Sequence, residues 1–179
     1  KRVALTRLHD MFRDGGISKR YFALVKGCWR NELQHVRLPL HKYLTAEGER
    51  RVSVDAEGKA AHSIVRLVAR WENFSLVEVE LKTGRTHQIR VHMAHITHPL
   101  VGDQVYGGRP RPPKGASDEF ISTLRKFDRQ ALHATMLRLY HPTTGIEMEW
   151  HAPIPQDMVE LIEEMRADFE EHKDEVDWL

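Results

Sequence analysis

The tightest constraint on what this chain can fold into is a five-residue run, Tyr21-Phe22-Ala23-Leu24-Val25, apolar on both alternating faces and closed by Gly27. Successive side chains of a strand point to opposite faces, so a strand apolar on both sides must be covered on both sides. The run therefore reads as a buried strand rather than an edge, and the rest of the chain must supply its neighbours. Two further strands are clear. Residues 62–69 are rich in Ile64, Val65, Leu67 and Val68, and in residues 74–81 Val77, Val79 and Leu81 alternate with Glu78 and Glu80, which leaves one wet face. Residues 132–140 and 146–151 form an antiparallel pair across the His141-Pro142-Thr143-Thr144-Gly145 turn. Residues 31–59 are polar and turn-rich, and within them residues 51–54 read as a short strand or hairpin arm.

Helical periodicity occupies the spaces between. Val3, Leu5, Leu8 and Phe12 predict a helix over residues 3–13, ended by Gly15-Gly16. Residues 85–98 read as a strand-to-helix junction and a helix, with Thr86 as N-cap, an apolar stripe at Ile89, Met93 and Ile96, and Pro99 as the stop. A short helix is predicted near residues 118–126, and Pro155 opens an acidic terminal helix. Residues 107–117, rich in Pro, Gly and basic side chains, form a loop. Strands mixed with inserted helices, without a βαβ repeat, predict an α+β fold on a mixed, mainly antiparallel sheet.

At 179 residues and 41% hydrophobic, the chain has the size of one domain with a core. The single cysteine, Cys28, excludes an internal disulfide framework and suits a reducing compartment. Without an apolar run of membrane-spanning length, a soluble, cytoplasmic protein without a membrane partner is expected, as a monomer. Its first residues, Lys1-Arg2-Val3-Ala4, hold neither a signal core nor a starting Met, so a fragment is expected. The net charge of +1 hides an asymmetry. Residues 157–179 carry a net −8 and residues 1–156 a net +9. A basic body suits a polyanion, because each Lys or Arg meeting a phosphate releases a counterion. An ordinary solvated surface with an acidic last helix has the same charges.

The densest polar cluster is Gly84-Arg85-Thr86-His87-Gln88-Ile89-Arg90-Val91-His92, at the strand-to-helix junction. Free backbone N–H groups and the positive dipole end, joined by Arg85 and His87, suit an anionic group there. Arg90, one turn on, is placed to meet a carboxylate. Salt bridges that merely brace the junction are the commoner reading of such arginines. His87, His92, His95 and His98 invite a metal, but their i, i+3 and i, i+5 spacings differ from the i, i+4 of helical ligand pairs, and no metal is expected. His133 reads as structural, and Cys28 lacks a histidine that would activate it.

That same nine-residue string resembles the most diagnostic motif of the RluA-type pseudouridine synthases, and Lys19-Arg20-Tyr21-Phe22-Ala23-Leu24-Val25-Lys26-Gly27 resembles their tyrosine-bearing strand. The likeness continues through Gly58-Lys59-Ala60-Ala61, His98-Pro99-Leu100-Val101-Gly102-Asp103, Tyr106-Gly107, Leu132-His133-Ala134 and His141-Pro142, in order along the whole chain. The two halves resemble different large-subunit branches of the family. The resemblance implies isomerisation of specific uridines to pseudouridine in large-subunit (23S) ribosomal RNA, free or in an assembling large subunit, with no cofactor and no metal. It implies catalytic roles for Tyr21, which would stack on uracil and help remove the carbon 5 proton, and for Arg90, which would pair with the family's catalytic aspartate. Arg85, Thr86, His87, Gln88 and His92 would hold the RNA.

That aspartate stands in a His-Arg-Leu-Asp motif upstream of the tyrosine strand, and no such string occurs here. Thr6-Arg7-Leu8-His9-Asp10 is no substitute, since its order differs, no Thr-Ser-Gly follows, and Asp10 lies on the predicted helix too near Tyr21. Residues 1–179 are thus expected to be a partial catalytic domain without the aspartate motif or the family's S4-like module. The fragment alone would be incompletely folded and inactive. The alternatives are a non-catalytic RNA-binding or ribosome-assembly module of the same fold, against which the pairing of Tyr21 with Arg90 argues, and a metal-dependent hydrolase.

Overall fold

In the computed structural model, which describes residues 1–176, helix α1 (Arg2–Asp14) leads through Gly15, in the left-handed region, into strand β1 (Ile17–Lys26). Then follow β2 (Leu33–Arg37), β3 (Leu40–Leu44), β4 (Arg50–Val54), β5 (His62–Arg70) and β6 (Phe74–Leu81). Helices α2 (Gln88–His95) and α3 (Asp118–Lys126), strands β7 (Leu132–Tyr140) and β8 (Glu147–His151), and helix α4 (Gln156–Val176) complete the order. Six strands form one sheet in the order β2-β5-β6-β1-β7-β8, with every neighbouring pair antiparallel, while β3 and β4 form a separate hairpin. This is the expected α+β architecture.

The doubly apolar segment lies inside the sheet, hydrogen-bonded to β6 on one side and β7 on the other. Ala23, Leu24 and Val25 are all fully buried. Tyr21, Ala23 and Val25 face one layer, with Val65, Val77 and Val79 beside them and Ile89 and Met93 of α2 above. Phe22 and Leu24 face the other, packed with Phe74 and Leu76 under Phe120 and Leu124 of α3 and Met158, Leu161 and Met165 of α4. Each such side chain taken fully out of water stabilises the fold by about 1.5–3 kcal/mol, so both faces of β1 are firmly seated.

The structure differs from the sequence reading in three places. β2 and β3 have almost no apolar signal, because Val36 alone of β2 and Leu40 alone of β3 are buried. Helix α2 stops at His95 rather than 98, and Thr97 takes a left-handed φ of 72°. Thr86 is not its N-cap. His87 holds that place at φ 54°, with no side-chain cap bond. Asp10, on α1, pairs with Arg13.

Candidate active site

Tyr21 sits on β1 opposite Val79 of β6 and Ala134 of β7, where the pairing with β7 shifts register and leaves Thr135 of β7 as the extra residue. The half-buried Tyr21 ring lines a cleft of about 280 Å3 together with Arg85, His87, Arg90, Gln130 and Leu132. Burial pushes the Tyr21 phenol above its ordinary value, so the ring carries its proton at neutral pH.

Facing Tyr21 is the junction between β6 and α2, held by a chain of polar contacts. Thr83 Oγ1 accepts from the His62 N–H and donates to Gln88 Oε1, which also accepts from the Arg85 N–H. Gln88 Nε2 donates to the His62 carbonyl and to Ser63 Oγ. Ser63 Oγ lies 2.9 Å from His92 Nδ1, and His92 Nε2 lies 2.9 Å from the Leu38 carbonyl oxygen. A carbonyl only accepts, so Nε2 carries the proton and Ser63 donates to Nδ1, the pattern of a neutral histidine. Burial likewise lowers the His92 pKa. Gln88 and His92 are both buried, and their polar atoms are engaged inward. These bonds brace the junction, and Gln88 also lines the Tyr21 cleft.

Arg90, the other expected catalytic residue, meets a carboxylate within the chain. Its Nε and Nη2 lie 2.9 and 3.0 Å from Asp103 Oδ2 and Oδ1, a two-bond fork whose side chains are only 13% and 1% exposed. This fork, ahead of burial, holds the arginine pKa above its ordinary value. Tyr106 lies against the face of the guanidinium, 4.9 Å from its carbon to the ring centre. Asp103 and Tyr106 appear in the sequence within the family-like strings, but nothing in periodicity or spacing links residues 13 apart, so their place beside Arg90 was not legible. An apolar stretch broken by one Asp after a Gly was the available signal.

His87 sits in the left-handed region, uncommon outside glycine but less so for His. Its Nδ1 is 2.7 Å from Tyr106 Oη, which accepts from the Val52 N–H. Burial first, then the charge of Arg90, lowers the His87 pKa, so it too is neutral near pH 7. Arg85 is exposed, with Nε donating to the Ala60 carbonyl, and lines three adjoining cavities: the Tyr21 cleft, one floored by Leu40 and Val52, and one beside Phe12 and Lys19. Thr86 is exposed and lines the second of these, near Lys42 and Lys59. His133 Nε2 bonds to the Ala152 carbonyl. Among the described residues no three His, Cys, Asp or Glu side chains gather as a metal centre requires, and no helix is long and apolar enough to cross a membrane.

A cleft with an aromatic phenol on one wall, a fixed guanidinium on another and an exposed arginine at the rim suits a planar base attached to a phosphate chain. Residues 1–95 match the RNA pseudouridylate synthase family, and the chain belongs to that family. It is 61% identical over 176 residues to the ribosomal large subunit pseudouridine synthase D of Salmonella typhimurium and to that of Escherichia coli strain K12, covering 98% of this chain and 53% of each relative. Against the enzyme of that name from Yersinia pestis the identity is 52% over 177 residues, with the same coverage. The likeness runs through both halves, and the chain spans about half the length of these curated relatives. Two solved structures share the fold: human RNA pseudouridylate synthase domain containing 4 (TM-score 0.69, 22% identity, 90% of this chain and 67% of that one) and domain containing 1 (TM-score 0.65, 24% identity, 93% and 73%).

Proposed function

We propose that this chain is part of an RNA pseudouridine synthase that isomerises uridines of large-subunit ribosomal RNA. The observation that carries the reading is that Tyr21 and Arg90, distant in sequence, line one cleft with Arg85 at its rim. Isomerisation requires uracil to leave the ribose by cleavage of its C–N bond, turn, and rejoin through carbon 5, with loss of the carbon 5 proton. The nucleotide must be extruded from its stack to reach such a cleft, and recognition of single-stranded or looped RNA provides for this. Tyr21 stacks on the uracil and helps remove the carbon 5 proton as a relay, its phenol passing its own proton to solvent as it accepts the new one. Arg85, on the rim, and His87 and Thr86 beside it meet the backbone.

No carboxylate lines the cleft among the described residues, and Asp103, buried with both oxygens on Arg90, cannot serve the sugar. We therefore assign that role to an aspartate outside these 179 residues, brought to the free side of Arg90. The names of the relatives supply the class of RNA, and the basic body, net +9 over residues 1–156, fits it. We further take the protein to be a cytoplasmic monomer that needs no cofactor or metal.

The test compares this chain with a version extended upstream through a His-Arg-Leu-Asp motif, each incubated with large-subunit RNA and scored for pseudouridine by mass spectrometry. Conversion by the extended protein alone is the expected result. An extended protein that binds RNA yet leaves every uridine unchanged would replace this reading with a binding module.

A further inference from the structure

The stretch from Leu100 to Gly107 carries no role in the function proposed above, yet it touches both Arg90 and His87. It begins alongside β1. The Lys26 N–H donates to the Pro99 carbonyl and the Val101 N–H to the Leu24 carbonyl, and Leu100 bridges Val25. It is then pinned at Gly102, whose φ of 81° suits glycine and where a Cβ would come within 1.9 Å of the Arg129 carbonyl oxygen. Gly107 donates its N–H back to the Asp103 carbonyl. The Asp103 side chain is thereby fixed relative to the strand that carries Tyr21.

A guanidinium has five N–H donors in a rigid plane. Asp103 takes Nε–H and one Nη2 donor, the long edge of the fork. Among the described residues no acceptor is recorded for the donors at the short edge, and Arg90 lines the Tyr21 cleft. Tyr106 restrains the same plane from its face, donates its own N–H to Asp103 Oδ1 at 3.3 Å, and reaches His87 through its hydroxyl. An arginine on its own has several rotatable bonds. Clamped at one edge and one face, it keeps a single orientation with the second edge open to another anion.

We propose that Asp103, with Tyr106 stacked beside it, is a positioning residue that holds the Arg90 guanidinium with its free edge presented to the reacting carboxylate and the flipped nucleotide. The inference rests on the function proposed above, since it assigns Asp103 a task in that reaction. Two carboxylates would share one arginine: Asp103 permanently along the long edge, and the reacting one at the short edge. Fixing one partner in advance removes reorganisation from the chemical step.

The test is Asp103→Asn in the upstream-extended protein, alone and combined with Arg90→Lys. Asp103→Asn is expected to lower kcat by about 10- to 100-fold, the range found for groups that orient another functional side chain, with KM within about threefold. In the Arg90→Lys background it should add less than about a twofold loss, because its effect passes through the arginine. An unchanged kcat in folded Asp103→Asn, or a full additional loss in the Arg90→Lys background, overturns the proposal. The 15N-edited spectrum of the Arg90 Nε–H is an independent readout: slowly exchanging in the parent, and exchanging freely in Asp103→Asn. If Asp103→Asn fails to fold, or the parent makes no pseudouridine, the parent's Arg90 signal still decides the orientation. A freely exchanging signal there rejects it, whereas an inactive parent with a protected signal rejects only the functional reading.

Discussion

The two faces of β1 are built by different means. On the face of Phe22 and Leu24, α3 and α4 lie over the sheet with Phe120, Leu124, Met158, Leu161 and Met165, an ordinary apolar interior. On the face of Tyr21, Ala23 and Val25 the apolar layer under Ile89 and Met93 gives way, around Tyr21 and the start of the strand, to Gln88, His92, Arg90 and Asp103, all buried or nearly so and all hydrogen-bonded. Apolar packing is non-directional and tolerates exchange of one aliphatic group for another. A buried polar network is directional, and each partner removed leaves another unsatisfied. The first arrangement seats a strand; the second fixes the orientation of individual side chains, which is what chemistry needs.

Neighbouring residues on opposite faces sharpen this contrast most. Tyr21→Phe keeps the ring and removes one oxygen, and in the extended protein it should lower pseudouridine formation by about 10²- to 10⁴-fold, the usual worth of a group that moves a proton. Its melting temperature should stay close to the parent's. Leu24→Ala, three residues on and facing the helices, should cost about 2–5 kcal/mol of stability and leave activity per folded molecule intact. Reversed results for the pair would break the division of labour between the faces.

Arg90→Ala strands the buried Asp103 carboxylate and is expected to destabilise by about 3–5 kcal/mol, read by urea unfolding. Leu161→Ala on the helical face should cost a similar about 2–5 kcal/mol. The conservative exchanges separate them: Leu161→Met should lose less than about 1.5 kcal/mol, whereas Arg90→Lys cannot rebuild a two-bond fork in one plane and should lose activity even where it folds. Equal tolerance at both positions would argue that the fork is only packing.

A smaller effect follows from pH. Burial lowers the pKa of His92 and of His87 in the folded chain, so the unfolded chain binds protons that the fold resists. Stability is fully present above the unfolded histidine value, about 6.5, and declines as pH falls below it. Unfolding midpoints at pH 7.5 and 5.5 should show that loss, with a smaller pH difference in His92→Gln. Arg85→Ala is expected to have the least effect on the fold. It should reduce the dependence of log affinity for RNA on log salt by about one contact's worth.

The contrast between the faces also explains how much was legible in sequence. The central strand, the β5–β6 and β7–β8 pairs, α3 and the Pro-rich loop follow from alternation, helical period and turn residues, because those patterns record which side of an element meets the core. Edge strand β2, with Val36 its one buried residue, leaves no such record. At the site, the resemblance marked Tyr21 and Arg90, and the cleft joins them. Thr86 failed as a cap because His87 takes a left-handed turn that Tyr106 helps to hold, and the inward bonds of Gln88 and His92 were not legible because a polar side chain at a junction looks the same in sequence whichever way it faces. Partners such as Asp103 are set by three-dimensional proximity, which no period encodes.

The central claim is that the Tyr21 cleft handles the carbon 5 proton of a uridine. Its most direct test is release of tritium from large-subunit RNA carrying [5-3H]uridine, by the upstream-extended protein and by its Tyr21→Phe variant. Stoichiometric release by the parent, matched by pseudouridine formed and lost in the variant, is the result predicted. Release that is equal in the two proteins, or absent from a parent that binds the RNA, would contradict it.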